Sequence, residues 1–460
     1  MATVRKAQGA KTAAKASPAV CVIGLGYVGL TLALTLAERG RRVIGIDTSP
    51  AVAEAMQKKE PHFYEEGLAP LLKKHLGKAF IFRTVIPQDE TIDTFIVAVG
   101  VSMLKNGHPD YRDLTRALKD IGRHLKKGSC VIMRSTLPVG ASREMVIPLL
   151  KRASGLSAGA DFSVAFAPER TIEGTALKEL VTLPQVIGGL DATSVARAKE
   201  VFGFAPSVLI AKSLEEAEMV KLVNNTYRDV SFAFANELAL ICNAFNIDAA
   251  SVITTACTDY PRTKIPRPSP GVGGYCLTKD PYILVESATR KGYRPRLPSS
   301  ARSINKDMPR FLADKVRHFL SVHPIRRPVR IGILGLAFKG NPPTSDIRFS
   351  PTLDLVELLS ALPDAKIVVH DPVVPDSAFK TQGIVRAATI EACFDKSDIV
   401  IAMLDHPLYK KQPYHTLVRR MRAPGLFVDT WSMCDDRMRL KVCDEEDRHY
   451  STISYDSYCE

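Results

Sequence analysis

The stretch from Val20 to Asp47 constrains the fold more than any other part of the chain. VCVIGLG reads as an apolar strand, YVGLTLALTLAERG as a helix and RRVIGID as a second strand, which is one βαβ unit of roughly 30 residues. Gly24, Gly26 and Gly29 stand between the first strand and the helix in the spacing G-x-G-x-x-G, and Asp47 closes the second strand. That spacing has a mechanical reason. The glycines permit a tight turn, a close approach of a pyrophosphate to the backbone and tight helix packing, while the helix N-terminus attracts the anion. Asp47 is placed to bind ribose hydroxyls and to repel a 2′-phosphate, which favours NAD over NADP; an unliganded structural turn is the plainer alternative.

The pattern repeats along the chain. Strand-like runs at FIVAVG and SCVIMRS alternate with helical segments such as YRDLTRALKDIGRHLKK, predicting a parallel, doubly wound sheet over residues 19–205. From Ser213 to Phe245 the signal becomes a long helix without glycine or proline, the spine of a central region over 206–325. The proline-rich run Pro261 to Pro270 must be loop, and it delivers the chain to GVGGYCLTKD. After RRP comes a second α/β region over 326–443: VRIGILGLAF from Val329, a helix from about Ser350, then strands at KIVVHD, DIVIAML and LFVD. The expected fold class is α/β, with two Rossmann-like doubly wound sheet domains joined by a long central helix. The ends read as a disordered basic tail over 1–18, with no acidic residue before Glu38, and a polar tail over 444–460. Residues 1–18 also have the composition of an organelle transit peptide, without its apolar periodicity.

Composition excludes several classes. At 460 residues, 46% hydrophobic and 24% charged, the chain suits two or three soluble globular domains. Polar residues such as Asn236 and Glu237 interrupt the longest apolar runs, so no membrane span is expected. The net charge of +13 suits either a nucleic-acid partner or a pyrophosphate-bearing substrate and cofactor. Its basic residues are scattered without a nucleic-acid-binding signature, which favours the second. Nine cysteines without close pairing or metal-ligand spacing point to a reducing compartment, the cytoplasm, and to no metal site.

Three groups of residues carry chemistry. Cys276 follows three glycines within four residues and precedes Lys279 and Asp280, a polar setting that suits a reactive thiolate; the other eight cysteines read as ordinary buried ones. Lys221 and Asn225 are four apart on the long helix and share a face, which is either functional or simply solvated. Glu169 and Glu173 in APERTIEG serve either acid/base work or helix capping.

Taken together, GLGYVGL, STLPVG, APERTIEG, EMVKLVNNTYRDV with ANE, GVGGYCLTKD and GLAFKGNPPTSDIRFSP with VVHDP closely resemble, in order and spacing, the UDP-glucose/GDP-mannose dehydrogenase family. The resemblance runs from about Val20 to Asp429. It implies an NAD domain, a central helical domain that mediates homodimerisation or higher assembly, and a C-terminal nucleotide-sugar domain. It further implies a two-step, four-electron oxidation consuming two NAD. By position, Cys276 matches the nucleophile, Lys221 and Asn225 the groups that steady the oxyanion, and Asp280 the aspartate near the hydrolytic water. Thr136, Glu169 and Glu173 match further active-site positions. Tyr27, Val28 and Thr136 join Gly24, Gly26, Gly29 and Asp47 at the cofactor. The sugar nucleotide is expected to meet Glu169, Arg170, Lys221, Asn225, Gly273, Lys339 and Arg348.

The substrate is the least defined part. PERTIEG and NNTYRDV look like the branch acting on UDP-N-acetylmannosamine or UDP-N-acetylglucosamine, whereas GGYCLTKD leans toward UDP-glucose; GDP-mannose is a further alternative. The chain departs from the family pattern at Val101 and Ser102, where Thr-Pro is common, and at Asp429, Thr430 and Trp431. Competing readings are a one-step alcohol dehydrogenase using Lys221 as base, and a non-catalytic NAD-binding protein, which would have little reason to keep all these groups.

Overall fold

The computed structural model describes residues 18–104, 109–443 and 447–457. The basic segment 1–17 lies outside the described residues.

The first sheet has eight strands. In chain order they are β1 (Ala19–Ile23), β2 (Val43–Ile46), β3 (Phe80–Arg83), β4 (Ile92–Val97), β5 (Cys130–Met133), β6 (Ser163–Phe166), β7 (Gln185–Gly189) and β8 (Val208–Ile210). Their spatial order is β8-β7-β6-β5-β4-β1-β2-β3, parallel except between β6 and β7. β1 is buried at every residue, as expected of a strand covered on both faces. The helix after it, α1 (Tyr27–Glu38), is buried continuously from Gly29 to Ala37. The order reverses at β1 and β4, so a crevice opens beyond their carboxyl ends.

The long helix α2 (Leu214–Ala244) leaves this domain. Ser213 caps it by accepting from the Glu216 N–H, and Glu215 and Glu216 favour the positive end of the helix dipole. Part of its polarity is inverted. The buried face carries Glu218, Lys221, Asn225, Asp229 and Asn236, whereas Met219, Val223, Tyr227, Phe234 and Ile241 are exposed. After the proline-rich loop come α3 (Asp280–Thr289) and α4 (Leu297–Val322), and α4 packs along α2.

The second sheet comprises β9 (Arg330–Leu334), β10 (Lys366–His370), β11 (Val385–Arg386), β12 (Ile399–Ala402), β13 (Gly425–Asp429), β14 (Arg448–Ser451) and β15 (Asp456–Ser457). Their order is β11-β10-β9-β12-β13-β14-β15, again reversing beside the first strand. The helix α5 (Pro351–Ser360) begins at Ser350, whose side chain accepts from the Thr352 N–H.

The expected polar tail over 444–460 is corrected by this sheet within its described part, 447–457; the rest lies outside the described residues. β14 pairs parallel with β13, and β15 pairs antiparallel with β14. Tyr450 is the cause: its ring is buried and its hydroxyl donates to Asp429 Oδ2 at 3.0 Å. Ser454 adds a tie to the central region by accepting from the Ala249 N–H at 2.9 Å.

Candidate active site

The glycine turn keeps the backbone open and tightly packed. Gly24 has φ +87°, and a Cβ there would lie 2.7 Å from the Ala98 carbonyl oxygen; at Gly29 a Cβ would meet the Gly24 carbonyl oxygen at 1.7 Å. Gly26 faces open space, and α1 starts there without a side-chain cap or an acidic residue in its first turn. Uncapped N–H groups beside open space suit a pyrophosphate. Asp47 is oriented by the Leu25 N–H at 2.7 Å and the Ser49 N–H at 2.8 Å, and each oxygen keeps a lone pair for a ribose hydroxyl. Half-buried Thr136 follows β5 at the rim of the crevice, next to Ser135, whose hydroxyl donates to the Val99 carbonyl at 2.7 Å. Val28 is half-buried, and Tyr27 stacks on Phe63 with ring centroids 4.0 Å apart.

Cys276 lies in the loop before α3. A Cβ on Gly273 would come within 2.4 Å of the Phe349 carbonyl oxygen, and Gly274 has φ +83° against the Phe338 ring, so only glycines let the loop sit under segment 338–351. The Cys276 carbonyl accepts from the Asp280 N–H at 2.9 Å, closing the turn into α3. Among the eight described cysteines Cys276 alone is exposed. Cys257 and Cys443 are only partly covered, so the expectation of ordinary buried cysteines holds for the other five. The crowded cleft wall still raises the Cys276 pKa by desolvation; Lys221 and Lys279 oppose that, while Asp280 and Glu173 reinforce it.

Around this thiol the expected groups converge. Asn225 donates to Asp280 Oδ2 at 2.5 Å and Lys279 donates to Asp280 Oδ1 at 2.5 Å. Lys221 is buried on the same face of α2 as Asn225, within electrostatic reach of both Cys276 and Glu169. Lys279 is enclosed over the Tyr275 ring; burial opposes its charge, but Asp280, Cys276 and Tyr275 together prevail and raise its pKa.

The two glutamates differ. Glu169 is buried against Arg134 Nη2 at 2.5 Å and accepts the N–H groups of Arg170 and Thr171, both at 2.8 Å. Burial alone would raise its pKa, but Arg134 and these hydrogen bonds prevail and lower it. Glu169 is thus pinned by Arg134 and two backbone N–H groups. Glu173 is the opposite case: burial, reinforced by Asp346, lifts its pKa to about 7 against the pull of Arg348 and Lys339. Its Oε2 is buried without a hydrogen-bond partner, and Arg348 Nη2 lies 3.6 Å from Oε1.

Segment 338–349 closes the site from the second sheet. Lys339 donates to the Glu173 carbonyl at 2.5 Å, and burial lowers its pKa to about 8. Arg348 is held by Asp346 at 2.6 Å and lies over the rings of Tyr275 at 4.7 Å and Tyr27 at 5.5 Å. It therefore joins the cofactor turn to the cysteine loop. Arg170 is anchored on the Pro184 carbonyl instead. Where the pattern departs, Val101 is a core residue and Asp429 holds the following turn through the Cys434 N–H at 2.9 Å.

Sequence reading missed Arg134, Tyr275 and Asp346, and gave Lys279 only as part of the polar setting of the thiol. The available signals were an arginine ending a buried strand and a lysine directly before Asp280, since charges that are buried must be paired.

Comparison with known proteins decides the family. Residues 18–205 match the NAD binding domain of the UDP-glucose/GDP-mannose dehydrogenase family, residues 215–307 its central domain and residues 332–436 its UDP binding domain. The chain belongs to this family. It is accordingly an NAD-dependent nucleotide-sugar dehydrogenase. The NDP-N-acetyl-D-galactosaminuronic acid dehydrogenase of Ralstonia nicotianae is 33% identical over 85% of this chain and 92% of its own. The UDP-N-acetyl-D-mannosamine dehydrogenase of Salmonella typhi is 32% identical over 86% of this chain and 95% of its own. Among solved structures, the UDP-D-ManNAc dehydrogenase of Pyrococcus horikoshii superposes with a TM-score of 0.84 at 30% identity, covering 95% of this chain and 99% of that one. A UDP-glucose dehydrogenase from Pyrobaculum islandicum gives 0.82 at 27% identity, covering 95% and 98%. No helix among the described residues is long and apolar enough to cross a membrane.

Proposed function

We propose that this chain oxidises the C6 alcohol of a UDP-sugar to the uronate through a covalent Cys276 intermediate, with UDP-N-acetylmannosamine or UDP-N-acetylglucosamine as substrate. The observation that carries the reading is the exposed Cys276 thiol in the shared field of Lys221, Lys279 and Asp280, with Asn225 fixed beside it. Bound NAD supplies the hydride acceptor for both oxidations. The rest falls to the residues of the chain.

Once the alcohol is an aldehyde, its remaining C–H can be cleaved only after the carbon is made tetrahedral again. Addition of Cys276 Sγ does this, giving a thiohemiacetal that becomes a thioester on oxidation; water then releases the acid and the thiolate. Lys221 and the second N–H of Asn225 stabilise the oxyanion at each tetrahedral stage. Glu173, with a pKa near 7, takes up and returns protons, because a group that titrates near working pH does so best. Asp280 orients the water, and Glu169 holds the loop that carries Glu173. Lys339 meets the sugar nucleotide beside Gly273; Arg348 and Arg170 act chiefly through the anchors that hold them.

The N-acetylhexosamine choice rests on PERTIEG and NNTYRDV and on the substrates named for the Ralstonia and Salmonella relatives. Its test is a panel of UDP- and GDP-sugars with NAD, counting NADH per sugar consumed. Two per sugar with an N-acetylhexosamine preferred supports it; preference for UDP-glucose or GDP-mannose moves the substrate, and one per sugar removes the four-electron reaction.

We also propose a homodimer through the exposed apolar stripe of α2. A cavity of about 780 Å³ bordered by Tyr227, Phe232, Tyr260 and Pro261 adjoins that stripe, and contiguous apolar surface of this kind is a feature of subunit contacts. The eight described cysteines are free thiols, which supports a cytoplasmic location.

A further inference from the structure

The loop carrying Cys276 is tied to α2 on both sides of the thiol. The tie after it is Asn225 to Asp280. The tie before it is Asn236, whose Oδ1 accepts from the Ser269 N–H at 2.7 Å and whose Nδ2 donates to Asn305 Oδ1 at 2.9 Å. Asn305 Nδ2 in turn donates to the Asp229 carbonyl and to Asp229 Oδ1, both at 2.9 Å, and Arg302 Nη1 donates to the same Oδ1 at 2.6 Å. Exposure of these five residues runs from 0% at Asp229 and Asn236 to 5% at Arg302.

A chain of buried polar groups between two packed helices is costly unless its members find partners, and apolar side chains would pack there without that cost. What it adds is direction. The Asn236 amide fixes one backbone N–H at the start of the glycine loop, and the Ser269 hydroxyl continues the constraint to the Gly271 carbonyl at 3.1 Å. Gly271 also packs on α4: a Cβ there would lie 3.2 Å from the Asn305 carbonyl oxygen. From the Asn225 tether to the Asn236 tether, α2 advances about 16 Å. The loop runs back along that length, with Cys276 between its fixed ends.

We infer that Asn236 is a positioning residue for the reaction, its amide setting where the loop from Ser269 to Cys276 docks on α2 and hence where the thiol stands relative to Lys221. Asn236 is wholly buried, with its amide engaged by Ser269 and Asn305, and acts through the loop. The inference rests on the covalent reading above, and the test separates the two.

The test compares Asn236→Leu, which keeps the shape and removes the hydrogen bonds, with Asn236→Asp, which keeps the acceptor for the Ser269 N–H. One readout is the pH profile of Cys276 alkylation by iodoacetamide in the free protein, located by peptide mass. The other is NADH formed per UDP-N-acetylmannosamine with semicarbazide present to trap aldehyde. Asn236→Leu is expected to move the alkylation profile to higher pH and to lower the count from two toward one as trapped aldehyde rises about tenfold or more. Asn236→Asp should restore most of both. A purely structural role would scale all steps together and leave the count at two. Should Asn236→Leu not fold, Asn236→Ser, which is too short to reach Ser269, takes the same measurements. An unchanged alkylation profile together with two NADH per sugar overturns the proposal. Failure of the covalent reading shows differently: Cys276→Ala would still yield two NADH, while the alkylation profile of the Asn236 variants would still report on the tether.

Discussion

Asn225 on α2 donates an amide hydrogen to Asp280 Oδ2 at 2.5 Å, joining the helix that carries Lys221 to the residue that opens α3. One side chain thereby sets two distances, from Asp280 to the thiol and from the oxyanion donors to the reacting carbon. Asn225→Ala should therefore lower kcat by about 100-fold to 1000-fold with a much smaller change in KM. Steady-state kinetics on the preferred sugar checks this, and a loss under about tenfold would contradict the assigned role.

Lys221 is the strongest influence opposing the burial that raises the Cys276 pKa. Its removal in Lys221→Met should push the pH profile of Cys276 alkylation upward by about 1–3 units, the effect of losing a close cation. An unmoved profile would place the ammonium too far away to act on the thiol.

Glu173 gives a pH signature whose direction follows from its burial. Its carboxyl has a pKa of about 7 in the folded protein against an ordinary 4.5. Between those values the folded chain keeps a proton that the unfolded chain has released, so this group makes stability fall as pH rises through that window. Glu173→Gln removes the effect, and its Tm should gain on the parent between about pH 5 and about pH 8. As a base, Glu173 should also give the parent a kcat/KM that rises with an apparent pKa near 7, a limb missing from the variant. A parent profile flat through that range would contradict the proton-carrier role.

The exposed stripe on α2 makes a separate prediction. Phe234→Asp places a charge in the middle of it and should shift the protein from dimer toward monomer in light scattering after gel filtration, with its circular dichroism unchanged. A monomeric parent would remove the dimer.

Much of this was legible in the residues because local chemistry and tertiary structure agree there. Val20 to Asp47 forms the strand, turn, helix and strand that its periodicity indicates, and α2 begins at its Ser213 cap and lacks any breaker up to Phe245. Ser350 likewise starts α5. The illegible parts depend on distant partners. RHYS around Tyr450 looks like a polar end until β13 lies beside it and Asp429 accepts its hydroxyl. Glu169 and Glu173 are four residues apart in one motif, yet Arg134, just after β5, pins the first and helps lower its pKa, while burial raises that of the second. On α2, Lys221 and Asn225 taken alone read as either a functional or a solvated face, and Asp229 carries no signal. All three are buried, Asn225 and Asp229 because the groups they pair with lie on α3 and α4.

The covalent step can be observed on the enzyme itself. Asp280→Asn should slow hydrolysis of the acyl enzyme more than its formation, so that an acid quench during turnover with NAD and UDP-N-acetylmannosamine leaves a uronyl adduct measurable by mass on the peptide containing Cys276. The account predicts that adduct, with NADH formed at up to two per active site before the reaction stalls. Continued turnover at two NADH per sugar with no adduct on Cys276, or an unchanged rate in Cys276→Ala, would contradict it.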